Sequence, residues 1–192
     1  MKIRTLPRSL PVIFLASLTV LVIFTSGQSR CGQQTQSREE EIRKLLEVAR
    51  DANLRETNPD RVAGAIKRLG EMKAVETIDD LTELLTFRIY QPWEKDPHQP
   101  IAEGTYSFRR YPSVGALMEI GKPALPALVK VIETHESNSL ETENVMKVLI
   151  YISRYKQSEY VDYLQVEAAK ALPKEASERL LKAAEALKET KR

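Results

Sequence analysis

The stretch from Pro112 to His135 reads PSVGALMEIGKPALPALVKVIETH, and its pattern restricts the chain to pairs of short helices. Val114, Leu117 and Met118 lie three and four residues apart, so they share one helical face. Gly121 ends that helix, because it accepts the left-handed conformation that a helix C-terminus needs. Pro123 cannot continue the first helix but suits the first turn of a second. There Leu125, Leu128, Val129 and Ile132 fall at i, i+3, i+4 and i+7, an apolar stripe along one face. Pro126 still lies in the first turn, where a missing N–H costs little. Helices of about 10 residues are not stable alone in water. Each must bury its stripe against the other and against a neighbouring pair.

Such neighbours are present. Upstream, Val62, Ala65, Ile66 and Leu69 form one stripe, and Ile78, Leu81, Leu84 and Leu85 form the next. Downstream, Val145, Val148, Leu149 and Ile152 share a face, as do Val161, Leu164 and Ala168. Leu69, Leu117 and Leu149 occupy equivalent positions, at spacings of 48 and then 32 residues, with an insertion in the longer interval. Self-similarity at periods of 30 to 50 residues is the mark of stacked helical repeats. The motifs LGEMKAVETIDDLTELL (69–85) and ALMEIGKPALPALVKVI (116–132) resemble the HEAT repeat family, including its short bacterial form related to the phycobilin-lyase repeat. The resemblance covers about residues 58–171. It implies an all-α fold, a short α-solenoid of about three HEAT-like hairpins with capping helices. The third unit departs from the pattern, with Ser153 where the turn glycine would stand.

Residues 1–10 carry Lys2, Arg4 and Arg8 and no acid, and 11–24 (PVIFLASLTVLVIF) are an unbroken uncharged run. The small residues Thr25, Ser26 and Gly27 follow. This is the layout of a secretory signal peptide, residues 1–27. The competing reading is an uncleaved membrane anchor, but the 14-residue run spans only about 21 Å against a hydrocarbon core of about 30 Å. Cys31 is the only cysteine, which leaves a lipidated N-terminus as a third reading, although Arg30 stands where a small residue is wanted. One cysteine allows no internal disulfide, so an exported domain would be held by its apolar core. Of the 29 basic residues three belong to the leader, which leaves 26 against 27 acids. That balance gives no basic stripe for nucleic acid. No second long apolar run suggests a span in the mature domain, and about 165 residues suit one monomeric domain.

The polar segment 28–38 reads as a disordered linker ahead of a helical domain, 39–192. A helix over about Glu39 to Asn53, with Ile42, Leu45, Leu46 and Ala49 on one face, is placed to cap the N-terminal end of the array. Asn58 and Pro59 are a helix start, as N-cap and first helical residue. The segment 174–190 carries Leu180, Ala184 and Leu187 on one face and is placed as the C-terminal cap, set off by Pro173.

The insertion at 88–111, RIYQPWEKDPHQPIAEGTYSFRRY, is too long for a repeat turn and too rich in proline for a helix. It holds Tyr90, Trp93, Tyr106, Phe108 and Tyr111, five of the twelve aromatic residues of the chain. Aromatic density of that kind means either rings that pin the loop to the domain or a loop that binds a partner. Trp, Tyr and Arg together dominate binding hot spots. Tyr90, Trp93, Tyr106, Phe108, Arg109 and Arg110 are therefore the candidate contacts for another protein. Other clusters read as ordinary surface or packing. Glu76, Asp79, Asp80 and Glu83 suit a solvated helix face with acids near its N-terminus. His98 and His135 have no metal-ligand spacing. Tyr151, Tyr155, Tyr160 and Tyr163 read as packing with hydroxyls at the rim. No catalytic, cofactor or metal constellation stands out. The composite expectation is an exported, non-enzymatic protein-interaction module. The alternative implied by the resemblance is a lyase-like enzyme or enzyme subunit. Such lyases act on chromophore-bearing proteins inside cells, which an exported chain would not meet.

Overall fold

The computed structural model describes residues 36–90 and 110–190. Of these, 81% are helical and none is in a strand, so the fold class is all-α. The segment 1–27 read as a leader, Cys31, His98 and most of the insertion lie outside the described residues. Among the described residues nine α-helices follow one another: α1 (36–50), α2 (Ala52–Thr57), α3 (Pro59–Glu71), α4 (Ile78–Glu83), α5 (Pro112–Ile120), α6 (Leu125–Thr134), α7 (Leu140–Ser153), α8 (Gln157–Lys170) and α9 (Lys174–Glu189). The chain divides into two compact units, Met1–Glu41 and Ile42–Arg192. Of the first, only 36–41 are described, and they are helical.

The expected helix over 39–53 is corrected at both ends. Helix is already present at residue 36, inside the segment read as linker. It stops before Asp51, whose backbone is extended (φ −68°, ψ 105°) and whose carboxylate accepts the Leu54 N–H at 3.0 Å. An aspartate stabilises a helix start better than a helix interior, so a separate six-residue helix begins there. Asn58 and Pro59 behave as expected: the Asn58 side chain accepts from the Arg61 N–H at 3.2 Å, and Pro59 opens α3.

The first two hairpins share one turn construction. Each runs from a helix through a positive-φ residue and a three-residue 3₁₀ turn (Val75–Thr77, Lys122–Ala124) into the next helix. The Ala74 carbonyl accepts from Thr77 N–H at 3.0 Å, and 47 residues on Gly121 accepts from Ala124 at 2.9 Å. In the first turn the positive-φ residue is Lys73 (φ 49°), not a glycine. It closes α3 with the paired bonds Ala74 N to Leu69 O (3.1 Å) and Lys73 N to Gly70 O (2.8 Å), a Schellman motif. In the second turn Gly121 has φ 77° and ψ −137°. This is not the left-handed helical conformation expected for it but a more extended region that only glycine enters readily. The third unit has no positive-φ residue, and α7 leads through Arg154–Lys156 into α8 with Ser153 buried.

Packing follows the hairpins. Helix α3 lies against α5, α5 against α7, and α4 against α6. Leu69, Leu117 and Leu149 are each fully buried. Helices α3 and α5 approach closely at Gly70, where an added Cβ would lie 2.6 Å from Ala116 Cα. Asn144, fully buried on α7, donates from Nδ2 to the Leu85 carbonyl beyond α4 at 2.8 Å. Helix α9 buries Leu180, Ala184 and Leu187 chiefly on α8, but it is not only an end cap. It also lies along α6, where the Arg179 guanidinium donates to the Ile132 carbonyl at 3.0 Å and to that of Glu133. Those carbonyls belong to the last turn of α6 and have no intrahelical partner, so the half-buried guanidinium is a favourable terminus for them.

Candidate protein-binding surface

Of the six residues expected to contact a partner, Tyr90 and Arg110 are described, and Trp93, Tyr106, Phe108 and Arg109 lie outside the described residues. The two ends of the insertion meet: Ile89 N–H donates to the Arg110 carbonyl at 2.8 Å. Tyr90 is 58% exposed, and the Arg88 guanidinium stacks 4.8 Å from its ring centre. Arg110 is half-buried. Tyr111, grouped with the same aromatics, is buried instead, with the Lys147 ammonium 5.5 Å from its ring centre. Burial raises the Tyr111 pKa, against an opposing pull from Arg88. The ring thus anchors the insertion's C-terminal end to α7, while Tyr90 points its ring to solvent at the other end.

A second surface was not singled out from the sequence. Two hollows meet at Pro126 of α6, one shared with the α4 segment and one with α8. One, of about 430 Å³, is bordered by Val75, Ile78 and Asp79 on one side and Ala127 and Lys130 on the other. The second, of about 400 Å³, is bordered by Leu125, Pro126, Tyr160, Tyr163 and Val166. Lys122 spans the second hollow to Glu159 at 2.6 Å, and Lys156 reaches the same carboxylate at 3.4 Å. The Lys122 hydrogen bond is the main cause of a lowered Glu159 pKa, and that carboxylate in turn raises the pKa of Lys122. The one sequence signal was that Val75 and Val166 fall off the apolar stripes of their helices. A third hollow, about 530 Å³, runs between α3 and α5 over Ala63, Gly64 and Gly115 toward Ile89.

The remaining clusters are placed as follows. Glu76, Asp79 and Glu83 are exposed, whereas Asp80 is half-buried and holds Arg50 of α1 at 2.5 Å. That bond raises the Arg50 pKa. His135 caps α6, with Nδ1 3.1 Å from the Val131 carbonyl and 2.9 Å from Thr134 Oγ1. The four tyrosines of the third unit do not pack alike. Tyr160 is buried and Tyr163 half-buried, but Tyr155 is 89% exposed, and Arg154 stacks on both Tyr151 and Tyr155. Among the described residues, no three His, Cys, Asp or Glu side chains gather as a metal site would require, and no helix is long and apolar enough to cross a membrane.

Comparison with protein-family models, with curated proteins and with solved structures finds no match for this chain.

Proposed function

We propose that the chain is an exported, non-enzymatic protein–protein interaction module, a short α-solenoid of the HEAT-repeat type. The observation that carries this reading is the repeated unit. Two hairpins share a helix, a positive-φ residue, a 3₁₀ turn and a second helix, at an offset of 47 residues through the turn. The first helices lie on each other, as do the second helices. Arrays of this kind expose one side of each helix layer over a long surface, and such surfaces serve as binding platforms. The insertion adds the contact residues Tyr90, Trp93, Tyr106, Phe108, Arg109 and Arg110, of which Tyr90 stands exposed at the rim.

The test places a photo-crosslinkable residue at Tyr90 and, separately, at Trp93 in the full-length chain, expressed in its native host. A single dominant adduct in the exported fraction is expected. The Tyr90 adduct should vanish when residues 91–109 are replaced by a short Gly-Ser turn closing the Ile89–Arg110 pair. No adduct from either position, together with a replacement that changes only the melting temperature, would remove the insertion from the binding surface.

A further inference from the structure

Of the two hollows that meet at Pro126, the one against α8 is mainly apolar and the one against the α4 segment mixes apolar with charged side chains. The floor of the trough they form is aliphatic and aromatic, and three residues of it stand open to water: Val75 (48% exposed), Val166 (52%) and Pro126. A single exposed valine needs no explanation. Here one lies in each hollow, and Pro126 joins the two. Pro126 sits in the first turn of α6, so the ridge is rigid and needs little ordering on binding.

The rim selects the sign of the partner. Four carboxylates border the trough (Glu76, Asp79, Glu159 and Asp162) against two ammonium groups, Lys122 and Lys130. Glu159 is engaged by Lys122 and Lys156. Among the described residues Asp79, Asp162 and Lys130 form no ion pair, so an unpaired carboxylate stands in each hollow against a single unpaired ammonium in the first. An apolar floor with an unpaired carboxylate in each half complements aliphatic side chains carried between cationic ones. We infer that this trough docks a short segment of another protein that carries two or more aliphatic side chains flanked by Lys or Arg. The inference rests on the interaction-module reading and adds to it the surface and the chemistry of the partner.

The test uses the full-length chain and two fluorescein-labelled peptides, KKLVPAVLKK and EELVPAVLEE, followed by fluorescence anisotropy. The basic peptide should bind at least about tenfold more tightly than the acidic one, about 1.4 kcal/mol, and the preference should shrink as salt is raised. Replacing both unpaired acids (Asp79→Lys with Asp162→Lys) should weaken the basic peptide at least about tenfold and strengthen the acidic one. Glu185→Lys, on the exposed side of α9, should leave both unchanged, and unchanged far-UV circular dichroism establishes that the variants fold. Equal binding of the two peptides, binding of neither, or indifference to the double charge reversal overturns the inference. Self-association of the wild-type chain that the double reversal abolishes, with neither peptide bound, would assign the trough to a second copy and overturn it too. These outcomes are independent of the crosslinking result at Tyr90 and Trp93. An adduct there with no peptide binding here leaves the module reading standing and removes only the trough.

Discussion

Gly70 offers the sharpest test of how the first two hairpins meet. In Gly70→Ala the new Cβ would lie 2.6 Å from Ala116 Cα, 2.9 Å from its Cβ and 3.2 Å from its carbonyl oxygen. Carbon atoms in contact prefer about 3.5–4.0 Å, so α3 and α5 must separate by about 1 Å. The obstruction is backbone, which cannot rotate aside, and overpacking of this kind costs about 1–3 kcal/mol. Alanine regains up to about 1 kcal/mol of helix propensity, for a net loss of about 1–2 kcal/mol. Gly64 lies on the same helix and is exposed, and its added Cβ meets nothing within 4 Å. Gly64→Ala should therefore gain about 0.5–1 kcal/mol. Thermal unfolding followed by far-UV circular dichroism should separate the two variants by about 3–12 °C, at about 2–4 °C per kcal/mol for a domain of this size. Adding Ala116→Gly to Gly70→Ala removes the clash with the side-chain methyl but leaves the closer clash with the backbone of residue 116, so it should not restore stability. If both glycine variants gain stability alike, α3 and α5 do not approach at this register. The equivalence of Leu69 and Leu117 would then be wrong.

Three further outcomes are expected. Lys73 holds φ 49° at the end of α3, and Lys73→Gly should stabilise the fold by about 0.5–1 kcal/mol in urea unfolding; a loss of stability would mean that the lysine side chain contributes more than its backbone strain costs. Asn144→Ala strips the Leu85 carbonyl of its donor and should cost about 2 kcal/mol by the same measurement, whereas a change under about 0.5 kcal/mol would show the α4–α7 bond to be dispensable. The Lys122–Glu159 pair should stabilise the fold only over a defined pH range. The Glu159 pKa is lowered from 4.5 by Lys122, so its contribution is present above that value and is lost as pH falls through the folded-state pKa. The Lys122 pKa is raised from 10.5 by Glu159, so its contribution is present below that value and is lost as pH rises through the folded-state pKa. Glu159→Gln should accordingly lower the melting temperature at pH 7 and lose that effect well below pH 4.5; a difference that persists in acid would assign it to packing around Tyr160.

Much of the helical order was legible because it is local. The stripes of α3, α5, α6, α7 and α8 follow from the period of the helix, and Asn58 with Pro59 marks a start through bonds that span only three residues. Asp51 is equally local: it comes two residues after Ala49, the last residue of the apolar stripe, and its side chain starts the next helix. Lys73 escaped notice because positive φ is read from glycine, and here the Schellman bonds hold a lysine in that conformation. The candidate contacts of the insertion were readable as residue types alone. That Tyr90 is exposed while Tyr111 is buried depends on Lys147 and α7, more than thirty residues further along.

The division has a physical basis. Periodicity, capping and turn chemistry act over three or four residues, and they determined that this chain is a series of short amphipathic helices, one pair of them joined through the Gly121–Pro123 turn. Contacts between helices act at any sequence separation. They alone decided that Gly70 meets Ala116, that Asn144 reaches back 59 residues to Leu85, and that Arg179 of α9 completes the end of α6. The trough over α4, α6 and α8 belongs to this second kind. Val75, Pro126 and Val166 are ordinary residues in their own segments, and only the tertiary arrangement turns them into one surface.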